Sequence, residues 1–210
     1  MSDSFRIPVI GIVGGIGSGK STIARAAARL KPWYVIDADA IGHAVLEVPE
    51  VREQLKSAFG QTIFDESGAV IRSALAERVF GSLQKENKQQ LESIVHPVIR
   101  ARIFAAIREA EQSGQYEAVL LDAAVLLESG WRDLCSAVVY IDASFEERRS
   151  RVQETRNWSE EQLRVREASQ LSLDQKKKNS DSVISNRGEP AQAARQLIEF
   201  VESIGASVKK

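Results

Sequence analysis

The residues Gly14-Gly15-Ile16-Gly17-Ser18-Gly19-Lys20-Ser21 fit the pattern G-x-x-x-x-G-K-[ST] without a mismatch. Each position has a chemical reason. A loop that wraps phosphate oxygens must bring its backbone close, and glycine both leaves room and reaches φ > 0. Successive N–H groups then form an anion-binding nest. A helix starting near Lys20 adds its positive end. Lys20 can reach β- and γ-phosphates as a point charge, and the Ser21 hydroxyl can ligate Mg²⁺. The nucleotide-binding set expected from this segment is Gly15, Ile16, Gly17, Ser18, Gly19, Lys20, Ser21 and Thr22. A dinucleotide-binding G-x-G-x-x-G reading breaks the glycine spacing and leaves Lys20 without a role.

Phosphoryl transfer to a hydroxyl needs more than this loop. It needs a group to orient or deprotonate the acceptor, and positive charge over the transferred phosphate. Asp37 and Asp39 follow a short apolar run and would share one side if the chain stays extended there. Asp39 is the candidate base; the competing reading is a cap for a helix starting near Ile41. Asp122 closes another apolar run and is a candidate Mg²⁺ support, or else a structural strand-end carboxylate. From Glu146 to Arg166 the chain carries Arg148, Arg149, Arg151, Arg156, Arg164 and Arg166. Arginine forks suit phosphate clamping, and Arg148 and Arg156 are the candidates taken forward. Interleaved Glu146, Glu147, Glu160 and Glu161 equally fit a salt-bridged surface.

The elements that must position these residues are legible in outline. Pro8 to Val13, Tyr34 to Ile36, Ala118 to Leu121, Ala137 to Ile141 and Ser182 to Ser185 read as short buried strands alternating with helices. That pattern predicts an α/β fold with a five-stranded parallel sheet flanked by helices. Residues 40–111 read as mostly helical, interrupted by a turn-rich break at 61–70. Lys176-Lys177-Lys178 is read as a solvated surface run.

The whole chain bounds the function further. Its 210 residues are 43% hydrophobic and 27% charged, with a net charge of −1, which fits a globular protein and disfavours a dedicated nucleic-acid binder. Cys135 is the only cysteine and is expected to pack as a small hydrophobe. No run approaches the ~18 apolar residues of a spanning helix, and Met1 to Arg6 lacks the apolar core of a secretory signal. A cytoplasmic protein without membrane or nucleic-acid partners is expected, acting as a monomer or weak homo-oligomer. Three P-loop classes compete. A GTP switch needs Asn-Lys-x-Asp, whereas the chain has Asn87-Lys88-Gln89-Gln90 and no glycine after Asp122. An ATPase serving a larger machine normally needs a longer chain. A small-molecule kinase fits best.

The ordered set of segments resembles the dephospho-coenzyme A kinase family over nearly the whole chain. Beyond the P-loop it comprises Ile36-Asp37-Ala38-Asp39, His96-Pro97-Val98-Ile99, Val125-Leu126-Leu127-Glu128, Arg166, Gln170, Lys176, Asp181 and Val183-Ile184-Ser185-Asn186. The resemblance implies a P-loop kinase fold that transfers the γ-phosphoryl of ATP, with Mg²⁺, to the ribose 3′-hydroxyl of dephospho-coenzyme A, with Asp39 as base. It implies a nucleotide-binding core of residues 1–39, 115–145 and 180–210, a helical acceptor-binding insertion at 40–114, and a lid at 146–179. The chain departs from the family pattern at Val13, where relatives often carry Thr, at Ala124-Val125, where Pro is common, and in the lid spacing near Arg156-Asn157-Trp158. His43 and His96 are expected to be structural or substrate-positioning rather than catalytic. Trp33, Trp131 and Trp158 are expected to pack rather than to stack on a base.

Overall fold

The computed structural model describes residues 5–79 and 85–208. Apolar runs without alternation become strands covered on both faces. They are β1 (Val9–Gly14), β2 (Trp33–Asp37), β3 (Ala118–Asp122), β4 (Ala137–Asp142) and β5 (Ser182–Ser185). They form a five-stranded sheet in the order β2-β3-β1-β4-β5, parallel at every pairing. Each lies within a residue of its expected bounds. The strand order reverses around the central β1, so the loop after it opens at the sheet's carboxyl edge, where α/β sheets hold ligands. Asp37, Asp122 and Asp142 end their strands on that edge.

Helices α1 (Lys20–Ala28) and α9 (Pro190–Val208) cover the sheet. Ile10 and Ile12 of β1 and Val139 and Ile141 of β4 share one core with Ile23, Ala24 and Ala27 of α1 and Ala194 and Leu197 of α9. Each fully buried isoleucine, valine or leucine among them contributes about 1.5–3 kcal/mol. On the opposite face of β1 from Ile10 and Ile12 the packing is tight at Gly11, where a Cβ would lie 2.7 Å from Leu126 and 3.0 Å from the Cys135 Sγ.

Cys135 packs as expected, 9% exposed. Burial pushes its thiol up to about 12, so at pH 8 only about one thiol in ten thousand is ionised. Native protein is expected to resist labelling by a disulfide reagent at pH 8 and to react fully in denaturant; rapid native labelling would contradict this burial.

The chain divides into two compact units, residues 1–38 with 104–210 and residues 39–103. The second unit is helical. It contains most of α2 (Ala38–Val45), then α3 (Pro49–Phe59), a 3₁₀ turn at Gln61–Ile63, α4 (Arg72–Val79) and the first part of α5 (Lys85–Ser113). Val51, Leu55, Phe59, Ile63, Ile99 and Ile103 are among its buried residues. The turn-rich break is an antiparallel bridge between Phe64 and Val70. Asp65 Oδ1 closes it by accepting bonds from the Ser67 and Ala69 N–H groups at 2.9 Å. These bonds, that of the Ser67 hydroxyl first, hold Asp65 below the usual carboxylate range. Residues 80–84, within the stretch expected to be helical, and the terminal residues 1–4 and 209–210 of the expected core segments lie outside the described residues. Among the described residues no helix is long and apolar enough to cross a membrane.

The remaining helices, α6 (Phe145–Arg156), α7 (Glu160–Ala168) and α8 (Leu173–Lys178), connect β4 to β5. Each begins with a capping box, at Ser144 with Glu147, Ser159 with Gln162 and Ser172 with Gln175. One expectation here is overturned: Lys176 does not belong to a solvated run. Its side chain is fully buried, while Lys177 and Lys178 are exposed. The periodicity of α8 turns one lysine inward and the other two out.

Candidate active site

Gly17 and Gly19 take the left-handed conformation, with φ of 77° and 91°. Gly19 caps α1 without a side-chain bond, which leaves the first helical N–H groups for a ligand. The glycines also serve contacts that the motif does not announce. A Cβ on Gly17 would lie 2.7 Å from the Arg148 carbonyl oxygen, and one on Gly19 2.4 Å from Asn186 Nδ2.

An anion cradle must turn its carbonyl oxygens away from the ligand. Here Arg148, Arg151 and Asn186, from outside the loop, hold those of Ile16, Gly17 and Ser18. Arg148 Nη1 approaches the Ile16 oxygen at 3.5 Å, and Arg151 Nη1 donates to Gly17 and Ser18 oxygens at 3.3 Å. Asn186 Nδ2 donates to the Ser18 oxygen at 2.7 Å, and Arg151 Nη2 to the Asn186 oxygen at 3.0 Å. Lys20, 9% exposed, folds back so that Nζ donates to the Gly14 and Gly15 oxygens at 3.3 and 3.0 Å. Ser18 Oγ, Arg148 Nε and Asn186 Oδ1 are buried with no hydrogen-bond partner among the described residues. Ser21 is half-buried and Thr22 exposed on the first turn of α1.

The arginine-rich segment divides into distinct roles. Arg148 is 4% exposed, paired with Glu167 of α7, and its guanidinium would meet a Cβ on Gly15 at 2.9 Å. It is a brace beneath the loop. Arg149 and Arg164 both pair with Glu160, at 3.0 and 2.9 Å, as the surface reading foresaw. Arg156 and Arg166 lie over Trp158, with Cζ 4.9 and 4.1 Å from the ring centre. Trp158 packs against a small cluster containing Ile16 of the phosphate loop, Val152 and Leu163. Trp33 and Trp131 are buried core residues, as expected.

The carboxylates are arranged differently from the extended chain assumed. β2 ends at Asp37 and α2 begins at once with Ala38. Asp37 and Asp39 therefore do not sit on one extended strand. Asp37 pairs with Arg25 at 3.3 Å and lies beside Asp122 in the sheet register. Asp39 is exposed in the first turn of α2, where the helix dipole favours a negative charge. Because α2 starts ahead of Ile41, Asp39 does not stand before the helix as its cap. Asp122 is 7% exposed and pairs with Ile12 of β1 in the register.

His43 is exposed in the last turn of α2. His96 is half-buried in α5, and desolvation lowers its pKa, partly offset by the charge of Glu92. A cavity of about 270 Å³ lies within the second unit and is lined in part by Arg52, Lys56, Gln61 and Phe64. None of its lining residues belongs to the phosphate loop.

The residues present fit a nucleotide triphosphate: a braced cradle, a lysine at its mouth, an uncapped helix start and a buried unpartnered Ser18 hydroxyl. For Mg²⁺ they offer the Ser21 hydroxyl and the Asp122 carboxylate. Among the described residues there is no group of three or more His, Cys, Asp and Glu that could hold a metal.

The sequence names Arg151 only as one of the arginine-rich segment and Asn186 only as the end of the Val183–Asn186 segment, and it does not single out Glu167. The available signal was the three-residue spacing of Arg148 and Arg151, which puts them on one face of α6; nothing local marks Glu167 or Asn186 as partners of the loop.

Comparison with known proteins bears on the family and the fold. The family model described as dephospho-CoA kinase matches residues 8–192. A dephospho-CoA kinase of Corynebacterium diphtheriae is 39% identical over 186 residues, covering 86% of this chain and 88% of that protein. The crystal structure of TT1252 from Thermus thermophilus superposes with a TM-score of 0.79 at 30% identity, covering 94% of this chain and 97% of that one. A dephospho-CoA kinase from Campylobacter jejuni, at 24% identity and a TM-score of 0.58, covers 94% of this chain and 97% of its own and shares the fold. With its phosphate loop at the head of a parallel sheet and its sequence matched from Pro8 to Gln192, this chain belongs to the dephospho-CoA kinase family.

Proposed function

We propose that this kinase transfers the γ-phosphoryl group of ATP to the ribose 3′-hydroxyl of dephospho-CoA, giving coenzyme A and ADP. The observation that carries the reading is the family match over residues 8–192, and the braced phosphate loop, with Gly19 leaving the start of α1 uncapped and Lys20 folded onto its carbonyls, supplies the triphosphate site. In the reaction the acceptor oxygen forms a bond to the γ-phosphorus as the bond to the β,γ-bridging oxygen breaks. The acceptor proton passes to the Asp39 carboxylate. Lys20 exchanges the Gly14 and Gly15 oxygens for phosphate oxygens, which bind it more strongly as charged acceptors. Arg148 keeps the loop in shape, and Arg156 is the lid arginine offered to the transferred phosphate. Mg²⁺, held by Ser21 and Asp122 with the phosphates, would neutralise charge on the phosphate oxygens.

In this reading residues 1–39, 115–145 and 180–210 hold the nucleotide, 40–114 hold the acceptor, and 146–179 close as a lid that keeps water from the phosphoryl group. The enzyme works in the cytoplasm as a monomer or weak homo-oligomer, with no nucleic-acid or membrane partner. ATP consumption measured with dephospho-CoA, adenosine, AMP or no acceptor tests the reading. Turnover is expected with dephospho-CoA and at least about a hundredfold less with the others, the lower end of the discrimination enzymes achieve by differential binding. Equal turnover with adenosine or AMP would replace the reading with a nucleoside or nucleotide kinase; acceptor-independent hydrolysis would replace it with an ATPase.

A further inference from the structure

A fully buried ammonium is costly unless every proton is paired. Lys176 meets that condition completely. Its side chain has no exposed surface, and its Nζ donates to the Ala124 oxygen at 2.7 Å, to Gln170 Oε1 at 2.9 Å and to Glu128 Oε1 at 3.0 Å. An ammonium has three protons, so none is left over. Glu128 Oε1 also accepts the Leu171 N–H at 2.9 Å. The acceptors come from two separate segments. Ala124 and Glu128 lie in the turn that leaves β3 directly after Asp122, and Gln170 lies where α7 passes into α8.

Both segments lead to the phosphate site. Two residues before Ala124 stands Asp122. Three residues before Gln170 stands Glu167, whose carboxylate holds Arg148 against Gly15 and Ile16. Apolar packing could have filled this space at least as favourably. A point charge instead ties two segments together at one atom and fixes their separation.

We infer that Lys176 is a positioning residue for phosphoryl transfer: its bonds to Ala124, Glu128 and Gln170 hold the carboxylate at the end of β3 in register with the Glu167–Arg148 brace of the phosphate loop. This inference rests on the reading of Asp122 as the Mg²⁺-supporting carboxylate. It assigns catalytic consequence to a residue that touches neither substrate.

The test compares Lys176→Met, Glu128→Gln and the double variant Lys176→Met/Glu128→Leu with the parent enzyme. Three quantities are read: melting temperature, kcat, and the gain in ATP affinity that Mg²⁺ confers, by calorimetry without acceptor. Lys176→Met is expected to lower kcat at least thirtyfold and to reduce the Mg²⁺-dependent gain severalfold, while metal-free ATP affinity stays within threefold. In the double variant, which removes the orphaned carboxylate, the melting temperature is expected to recover and kcat is not. Recovery of kcat with the melting temperature would overturn the inference and leave Lys176 a folding residue. If Lys176→Met does not fold, Glu128→Gln decides: a kcat loss of at least fivefold at an unchanged melting temperature supports the inference, and parent-like kcat overturns it. Asp122→Asn is measured alongside. An unchanged Mg²⁺ gain there would overturn the metal reading of Asp122, while a kcat loss in the Lys176 variants would still mark the brace as functional.

Discussion

Lys20→Ala is expected to lower kcat/KM for ATP by about a thousandfold or more without unfolding the protein. The argument is electrostatic. Lys20 Nζ is held by two neutral carbonyls of its own loop, at 3.0 and 3.3 Å. Removing one positioned charge where negative charge develops costs about 4 kcal/mol of barrier, and each 1.36 kcal/mol is tenfold in rate. The fold should tolerate the change. Gly14 and Gly15 keep their chain positions through Arg148 and the β1–β4 pairing, and alanine is at least as good as lysine in a helix. Steady-state kinetics and a melting curve check this. Turnover within tenfold of the parent, at an unchanged melting temperature, would remove the loop lysine from the mechanism.

Asp39→Asn has the second largest expected effect: kcat falls by about 10²–10⁴, the span a positioned general base contributes, while ATP affinity changes by less than about threefold. Asp39 is exposed and sits in the first turn of α2. Its charge there is worth only about 0.3–1 kcal/mol to the helix. The amide keeps the shape and loses the basicity, so kinetics and stability separate. Calorimetric ATP binding with thermal melting distinguishes the outcomes. A large drop in melting temperature with little loss of kcat in the folded fraction would show that Asp39 serves the helix start and not the acceptor.

The phosphate loop was legible because its requirements are local. Glycines, a lysine and a hydroxyl in fixed order act through backbone geometry and a single helix end. The strands were legible because burial on both faces writes an uninterrupted apolar run. What could not be read acts across the chain. Asn186 holds the Ser18 carbonyl, and Arg151 holds Gly17 and Ser18, from positions more than a hundred residues away along the chain. No spacing rule connects them. Lys176 was hidden by its neighbours: three adjacent lysines look solvated, and only the phase of a six-residue helix decides which one turns inward. The Asp37–Asp39 geometry was misjudged because β2 passes into α2 with no intervening residue. Asp37, read as part of a strand end, hides the helix start that follows it. Arg148 looked like a mobile clamp because arginine and phosphate are complementary; its pairing with Glu167 and its place under Gly15 depend on the packing of α6 and α7 against the loop.

The central claim is phosphoryl transfer to one hydroxyl of one acceptor. Incubation of the enzyme with ATP, Mg²⁺ and dephospho-CoA, followed by phosphorus NMR and mass analysis of the product, tests it most directly. One new ribose 3′-phosphomonoester for each ADP formed, with negligible inorganic phosphate, is the predicted result. Phosphate on another position, or ADP released with inorganic phosphate and no modified acceptor, would contradict the account.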